Sequence, residues 1–334
     1  MRQVRIAGYR QAELETVPMP SLRDGWALVK ILAAPLCAEY KLFRSGRPFH
    51  YIGHEAAGVV VERAAGASVD VGDRVVVMPQ YPCGRCRHCT RGEFIYCKDN
   101  LDLDAGALAE YIAKPSWLLA PIPDDVTIDV GALACCGLGP SFGAEERAGV
   151  DGSTTLLVTG LGPVGLGAVV NGVHRGARVF GVDQNPFRAQ LARDLGAAEV
   201  LDPRNDDVLQ QVRAACGGDG PDVGVDCSGV PTAHRLLIDA VRSRGVVVLV
   251  GETMDPTPIR ASPDMIRKGM TIMGSWHYAL PDFPQVMDVL RTFAGVERLI
   301  THRFPLDQIQ TALEVSEEQM CGKVVLHPFE EAPQ

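Results

Sequence analysis

The middle of the chain alternates short apolar runs with segments whose apolar residues recur every three or four positions. The runs "TTLLVTG", "RVFGVD", "AEVLD", "DVGVDCSG", "GVVVLVG" and "MTIMGS" predict buried strands, and the segments between them, such as "LGAVVNGVHRG" and "TAHRLLIDAVRS", predict helices. Strands that alternate with helices in this way form a parallel, doubly wound sheet. We therefore expect an α/β domain whose ligand binds at the carboxyl ends of its strands.

The region before residue 154 has a different pattern, in which short apolar runs follow one another. The runs "VRIAGYR", "AELETV", "WALVKILAA", "AAGVVVE" and "DRVVVM" predict a β-rich region. With 334 residues, the chain is longer than a typical single domain. A content of 46% hydrophobic and 22% charged residues is ordinary for a globular protein. Two domains, each with its own core, are therefore expected.

Charge and cysteine content exclude some classes of protein. A formal net charge of −9 repels phosphates, which argues against a nucleic-acid or anionic-membrane partner. The first residues, "MRQVRIAGYRQAELE", show no apolar segment of a secretory signal, and no apolar run approaches the roughly 20 residues needed to cross a bilayer. We therefore expect a cytoplasmic protein, in which thiols stay reduced. The ten cysteines then favour metal binding over disulfides.

One cysteine-rich segment, "CGRCRHCTRGEFIYC", has the spacing C-x2-C-x2-C-x7-C. Four thiolates complete the tetrahedral shell that zinc prefers, and such a closed shell is structural rather than catalytic. Iron–sulfur clusters also take four cysteines, but their usual spacings differ. Four unrelated thiols are the remaining alternative. The predicted structural zinc ligands are Cys83, Cys86, Cys89 and Cys97.

The strand "TTLLVTG" runs directly into "GLGPVG", a G-x-G-x-x-G sequence followed by a predicted helix. Such a turn lets a pyrophosphate approach the backbone at the helix N-terminus. Asp183 ends the next strand, where an acid binds ribose hydroxyls and favours NAD over NADP. Arg188 favours a 2′-phosphate instead, or is a solvated helix charge. The candidate NAD-binding residues are Gly160, Gly162, Pro163, Val164, Gly165, Asp183 and Arg188, with Ser228, Gly251, Gly274 and Ser275 at or beside other strand ends.

A second group of possible metal ligands is scattered along the β-rich region. Cys37 follows an apolar stretch, His54 and Glu55 lie in "GHEAAG", and Cys135 and Cys136 precede the nucleotide-binding half. Each alone is more often a core or surface residue than a ligand. Three such ligands plus a water would form an open, catalytic zinc site.

In order and spacing, these motifs resemble the zinc-dependent medium-chain dehydrogenases, the superfamily of alcohol, sorbitol and threonine dehydrogenases. The resemblance runs from Cys37 through "GHEAAG", "VGDRVVV", the cysteine lobe and "GLGPVG" to the closing "CGKVVL". It implies a GroES-like β-rich catalytic domain at 1–137 with a zinc lobe at 83–97, and a Rossmann NAD-binding domain at 138–279. It also implies that 280–334 returns to the catalytic domain, where "PDFPQVMDVLRTFAG" and "LDQIQTALEVSEEQ" predict amphipathic helices.

The resemblance also implies roles for the scattered residues. Cys37 and His54 bind the catalytic zinc, and the third ligand is a cysteine or a glutamate in different members. Register with "CGLGPSFG" favours Cys136, with Cys135 as a buried neighbour, and Glu55 as an exchangeable ligand or an acid behind the metal.

The implied reaction is hydride transfer from a zinc-bound alcohol to NAD, with two zinc ions per chain, one catalytic and one structural. Lys323 resembles the basic residue that contacts the cofactor pyrophosphate, although a solvated surface lysine is the alternative. Oligomerisation as a homodimer or homotetramer is expected.

The chain departs from the family at Glu39, where relatives carry a serine or threonine that relays the alcohol proton. Glu39 could be a general base, a substrate ligand, an alternative zinc ligand or a structural residue. Together with Tyr40, Trp276 and His277 it suits a polar substrate, namely a polyol, cyclitol, sugar or amino alcohol. The packing of His277 and Tyr278 is an equal alternative.

Three other classes of protein compete with this prediction. A nucleic-acid-binding protein is disfavoured by the acidic charge. A redox-neutral epimerase with tightly held NAD and a catalytically inactive zinc-binding relative both remain open.

Overall fold

The computed structural model describes residues 1–101 and 105–329, which fall into two compact units. Of the described residues, the first unit comprises 1–101, 105–137, 279–292 and 300–329. The second unit comprises residues 138–278 and 293–299. The chain therefore leaves the first unit and returns to it.

The first unit is built mainly of strands, as its apolar runs predict. Its strands are β1 (Arg2–Gly8), β2 (Gln11–Thr16), β3 (Trp26–Pro35), β4 (Ala56–Arg63), β5 (Arg74–Val77), β6 (Tyr111–Pro115), β7 (Leu119–Pro121), β14 (Ile300–Pro305) and β15 (Lys323–His327). Strands β1 and β2 form an antiparallel pair. The other seven form one sheet, in the order β14-β15-β3-β4-β5-β7 with β6 also paired to β3.

Helices cover parts of this sheet and close its core. Val29 and Ile31 of β3 pack in one buried cluster with Leu313 and Leu326. Because these residues come from both ends of the chain, the C-terminal segment completes the core of the first unit. The helices are α1 (Glu39–Ser45), α2 (Ile128–Ala132), α8 (Phe283–Thr292) and α9 (Ile309–Glu318), with 3-10 turns at Cys89–Arg91, Phe94–Tyr96, Ser116–Leu118, Leu280–Asp282 and Leu306–Gln308.

The second unit is a parallel six-stranded sheet, ordered β10-β9-β8-β11-β12-β13. Its strands are β8 (Thr155–Thr159), β9 (Arg178–Val182), β10 (Glu199–Leu201), β11 (Val223–Asp226), β12 (Val246–Leu249) and β13 (Thr271–Gly274). Its helices are α3 (Gly139–Ala148), α4 (Pro163–His174), α5 (Pro186–Asp194), α6 (Val208–Ala215) and α7 (Pro231–Ala240), with a π-type turn at Ala261–Ile266 and a 3-10 turn at Val296–Leu299.

The β-rich part and the doubly wound parallel sheet confirm the fold class predicted from the sequence. Several elements were not predicted. Helix α3 contains two glycines and a proline, which are poor helix formers. Strand β14, "ITHRFP", lacks clear apolar alternation, so it shows little strand signal. Among the described residues, no helix combines the length and apolar character needed to span a membrane.

Candidate metal centres and cofactor-binding region

The first unit brings together four of the scattered candidate ligands. Cys37 follows the end of β3, His54 and Glu55 immediately precede β4, and Cys136 follows α2. Their ligand atoms all lie within 4.8 Å of one another. Two thiols, an imidazole and a carboxylate are donors that zinc prefers, and three of them leave one position of a tetrahedral shell open.

The electrostatics of this cluster fit a cation. Hydrogen bonding with Cys136, together with burial, raises the pKa of Cys37 well above its ordinary value. Hydrogen bonding with Cys135 raises the pKa of Cys136 to about 12. Burial alone would lower the pKa of His54, but its contacts with Cys136, Cys37 and Glu39 together outweigh burial and raise that pKa. A divalent ion would stabilise the thiolates that otherwise repel each other, so these residues fit zinc.

Cys135 lies beside this cluster but is not one of its four candidate ligands. Its thiol is fully buried and donates a hydrogen bond to the backbone carbonyl of His54, with Sγ 3.8 Å from the oxygen.

Glu39 is the first residue of α1 and lies beside the cluster. Its Oε2 accepts a hydrogen bond of 2.6 Å from the backbone N–H of Cys37, and its Oε1 lies 3.1 Å from Nδ1 of His54. Burial would raise the pKa of Glu39, but these contacts prevail and lower it. Glu39 is therefore an ionised acid held between two of the candidate metal ligands.

Glu55 and Lys323 form a buried ion pair behind the cluster. Nζ of Lys323 donates to Oε1 of Glu55 and, at 3.1 Å, to the carbonyl of Leu36. Oε2 of Glu55 accepts from the backbone N–H of Cys136 at 3.2 Å. The alternative of a solvated surface lysine is wrong, because the Lys323 side chain is 1% exposed. Contact of Lys323 with a cofactor pyrophosphate stays a prediction.

The four cysteines of the lobe converge on a second point. Their sulfurs all lie within 4.8 Å of one another. Hydrogen bonds from the backbone N–H groups of Arg85 and Cys86 lower the pKa of Cys83 to about 6, whereas burial raises the pKa of Cys89 to about 12. A closed set of four sulfurs fits a structural zinc ion. The lobe turns at Gly92, whose φ is 77° and where a Cβ atom would lie 2.3 Å from Cδ of Pro281.

The second unit carries the predicted dinucleotide turn at the carboxyl end of β8. Gly160 has φ of 79°, and Gly162 caps α4, whose first two residues are Pro163 and Val164. A Cβ atom on Gly165 would lie 1.9 Å from the carbonyl oxygen of Gly160, so only glycine fits there. The backbone N–H groups at the start of α4 are thus available to an anion.

Asp183 follows β9 and contacts this turn. Its Oδ2 accepts from the backbone N–H of Leu161 at 2.6 Å, and its Oδ1 accepts from that of Asn185 at 2.8 Å. Arg188 lies nearby, with Nη1 3.8 Å from the Cβ position at Gly162. The alternative of a solvated helix charge is wrong for Arg188, because this residue is only 8% exposed.

A buried hub of hydrogen bonds around Asp226, which the sequence did not predict, connects the neighbouring loops. Asp226, at the end of β11, is fully buried and accepts hydrogen bonds from Thr159 Oγ1 at 2.8 Å and Ser228 Oγ at 2.6 Å. It also accepts from the backbone N–H of Gly229 at 2.9 Å and lies 3.0 Å from Nε2 of His234. The sequence signal for this hub is Asp226 itself, a charged residue at the end of the predicted strand "DVGVD".

Other strand-end candidates belong to the same edge of the second unit. A Cβ atom on Gly251 would lie 2.1 Å from the backbone nitrogen of Gly229, so the two loops touch there. The backbone N–H of Ser275, a buried residue after β13, donates to the carbonyl of Leu249 at 3.0 Å. Gly274, the last residue of β13, is exposed.

The candidate substrate residues are divided between the units. Tyr40 belongs to the first unit, and its phenol oxygen lies 3.5 Å from Nε2 of Gln319. Trp276 and His277 belong to the second unit, where they are 43% and 5% exposed. The rings of His277 and Tyr278 lie 4.5 Å apart, so His277 also has a packing role.

A β-rich unit with two cysteine-containing groups of candidate metal ligands, in one chain with a glycine turn on a parallel sheet, is typical of zinc-binding dehydrogenases. Two family profiles agree: residues 23–124 match the alcohol dehydrogenase GroES-like domain, and residues 163–292 match the zinc-binding dehydrogenase domain. The chain belongs to the zinc-dependent medium-chain dehydrogenase family, which confirms the resemblance found in the sequence.

Known relatives align over nearly the whole chain. L-threonine 3-dehydrogenase of Symbiobacterium thermophilum is 33% identical over 95% of this chain and 94% of its own length. Sorbitol dehydrogenase of Bacillus subtilis is 29% identical over 98% of this chain and 97% of its own length. The solved structure of alcohol dehydrogenase TADH from Thermus sp. ATN1 shares the fold, with a TM-score of 0.90, 24% identity and coverage of 98% and 99%. The protein is an alcohol dehydrogenase-type oxidoreductase.

Proposed function

We propose that the protein is a zinc- and NAD-dependent dehydrogenase that interconverts a secondary alcohol and its ketone in a polar substrate. The observation that carries this proposal is the convergence of Cys37, His54, Glu55 and Cys136 within 4.8 Å in a member of this family. Its substrate class is a polyol, cyclitol, sugar or amino alcohol.

The metal site is proposed to use three ligands, Cys37, His54 and Cys136, with Glu55 as an exchangeable ligand or an acid behind the metal. When bound, zinc supplies the Lewis acidity that lowers the pKa of an alcohol hydroxyl, and NAD supplies the hydride acceptor. The ammonium of Lys323 neutralises Glu55, which leaves the ionised Glu39 and the thiolates of Cys37 and Cys136 as the negative charges beside the cation. This excess of negative charge supports the binding of a divalent cation, which would be held by Cys37, His54 and Cys136 and would supply the Lewis acidity.

The cofactor is proposed to bind the second unit at the glycine turn. The N-terminus of α4 supports a pyrophosphate, because its free N–H groups and helix dipole favour anions. Asp183 lies at the end of the next strand, where a carboxylate accepts hydrogen bonds from ribose hydroxyls and repels a 2′-phosphate. This supports NAD rather than NADP. Arg188, Ser228, Gly251, Ser275 and Lys323 are proposed to complete the cofactor contacts.

The substrate proposal rests on polarity and on relatives. Tyr40, Trp276 and His277 offer a phenol, an indole and an imidazole, which suit a hydroxylated substrate better than a simple alkanol. The related proteins named for threonine and sorbitol act on polar alcohols, which supports the same class here. The four-cysteine lobe is proposed to hold a second, structural zinc ion. A homodimer or homotetramer and a cytoplasmic location are also proposed.

The test is an assay of the zinc-loaded protein with NAD and a panel of polyols, cyclitols, sugars and amino alcohols, following NADH absorbance. Production of NADH with one strongly preferred substrate class supports the proposal, and simple alkanols serve as the matched control. NAD that stays bound through purification, with a substrate epimerised and no net NADH formed, would show the redox-neutral epimerase instead. No reaction of any kind in zinc-replete protein would show an inactive relative.

A further inference from the structure

Both carboxylate oxygens of Glu39 contact candidate metal ligands. Oε2 accepts the backbone N–H of Cys37 at 2.6 Å, and Oε1 lies 3.1 Å from Nδ1 of His54. The Glu39 side chain is 6% exposed, whereas that of His54 is 41% exposed. A nearly buried acid therefore contacts a ring that is partly open to solvent.

The contact decides which ring nitrogen of His54 is available to a metal. A carboxylate only accepts hydrogen bonds, so Nδ1 carries the proton in this pair. In a neutral imidazole the lone pair is then on Nε2. Nε2 lies on the cluster side of the ring, 4.0 Å from Oε1 of Glu55. The pair with Glu39 thus selects the tautomer whose lone pair is directed at the cluster.

The helix that carries Glu39 is anchored in the core of the first unit. Glu39 starts α1, and Phe43, one turn later, is fully buried in the core of the first unit. The helix ends at Gly46, whose φ of 72° breaks it. Anchoring at Phe43 fixes the direction from which the carboxylate meets His54, as a preorganised metal site requires.

We propose that Glu39 is a positioning residue that holds His54 in the orientation and tautomer needed to bind the metal. This inference rests on the proposed zinc site. Metal-bound histidines usually donate their second N–H to a carboxylate or a carbonyl, and loss of that partner costs about 10- to 100-fold in metal affinity.

The test measures zinc retained per chain by wild type, Glu39→Gln and Glu39→Asp as the chelator concentration rises. Glu39→Gln is expected to lose one zinc equivalent at about 10- to 100-fold lower chelator, because the amide cannot accept strongly from both partners. Glu39→Asp keeps the charge and is expected to retain zinc better than Glu39→Gln. The zinc of the four-cysteine lobe, released as in wild type, shows that each variant is folded.

A matched control is provided by another acid that pairs with a histidine in the same unit. Oε1 of Glu15 lies 3.0 Å from Nδ1 of His50, away from both cysteine clusters, so Glu15→Gln is expected to retain zinc as wild type does. The visible spectrum of the cobalt-substituted protein gives a second measurement. It is expected to change in Glu39→Gln and not in Glu15→Gln, since only the former alters the ligand field.

Two outcomes would overturn the inference, and they differ from each other. If Glu39→Gln retained both zinc equivalents as tightly as wild type, but lost turnover together with one limb of its pH–rate profile, Glu39 would be a general base. If wild type itself held only the lobe zinc, the proposed function would fail and the positioning role with it. If wild type retains both zinc ions and Glu39→Gln loses only one of them, the result supports both the proposed zinc site and the positioning role of Glu39.

Discussion

Lys323 and Glu55 form an ion pair whose side chains are 1% and 0% exposed. The two residues are 268 positions apart in the sequence, so the pair ties the last strand of the first unit to the loop that carries His54. The carbonyl of Leu36 also accepts from Lys323, which places the ammonium behind Cys37. The C-terminal return of the chain thus supplies the cation that neutralises the acid behind the proposed metal site.

Removing one member of this pair should be costly. Lys323→Met leaves the Glu55 carboxylate buried without its cation, and breaking a buried pair in this way typically destabilises a protein by about 3–5 kcal/mol. The measurement is chemical unfolding of the first unit, followed by a probe within it. The double variant Lys323→Met/Glu55→Gln should recover much of the loss, because no charge is left buried.

The control for that prediction is a pair at the surface. Arg5 and Glu13 are 36% and 51% exposed, so Arg5→Met should change stability by less than about 1 kcal/mol. Equal effects of Lys323→Met and Arg5→Met would contradict the importance of the buried pair.

Glu145 predicts a dependence of stability on pH in the second unit. Its side chain is fully buried in α3, and neither oxygen has a hydrogen-bond partner among the described residues. Burial raises its pKa well above 4.5, although Arg175, with Nε 3.8 Å away, opposes this. The folded state therefore holds the proton more tightly than the unfolded state does.

The sign of the effect follows from linkage. The stabilisation from protonated Glu145 is complete below its unfolded pKa of about 4.5 and is lost as the pH rises toward the folded value. Glu145→Gln should therefore raise the unfolding temperature at about pH 8, equivalent to roughly 1–3 kcal/mol, and should change it little near pH 4.5. The neighbouring Glu146→Gln is the control, since that side chain is 48% exposed. A pH-independent effect of Glu145→Gln would show that the group is not a buried acid.

The carboxylate of Asp183 is expected to determine the preference for NAD over NADP. Asp183→Asn keeps an oxygen that can accept from Leu161 or Asn185 but removes the charge that repels a 2′-phosphate. The ratio of kcat/KM for NAD to that for NADP should fall by about tenfold or more. Asp202→Asn is the control, because that acid follows β10 and pairs with Arg204. An unchanged ratio in Asp183→Asn would remove the basis for NAD preference.

Local patterns explain which parts of the molecule could be predicted. The strands of the second unit and the turn at Gly160 depend on neighbouring residues, so periodicity and glycine spacing sufficed. The cysteine lobe was equally accessible, because its ligands span only residues 83–97. Each of these features is encoded within about one strand or loop.

Features that depend on distant packing were not accessible in the same way. Nothing in the sequence near Glu55 predicts that it forms an ion pair with Lys323. The polarity of Glu39 was compatible with four different roles. Arg188 and Glu145 are buried because of the way in which α5 and α3 pack against the rest of the second unit. The spacing of apolar residues in these two helices does not predict that packing, because α3 contains glycines and α5 contains several charged residues. The sequence thus predicted the candidate residues, and the structure showed which partners surround them.

The central claim is best tested by counting zinc per chain in four proteins: wild type, Cys37→Ser, Cys89→Ser and the control Cys216→Ser, whose cysteine lies outside both clusters. We expect one ion for each cluster in wild type and in Cys216→Ser, and the loss of a single ion in each of the other two. Cys37→Ser should also lose NAD-dependent alcohol oxidation while remaining folded, whereas Cys89→Ser should unfold at a lower temperature. Wild-type protein that holds a single ion, removed by Cys89→Ser and unaffected by Cys37→Ser, would contradict the account.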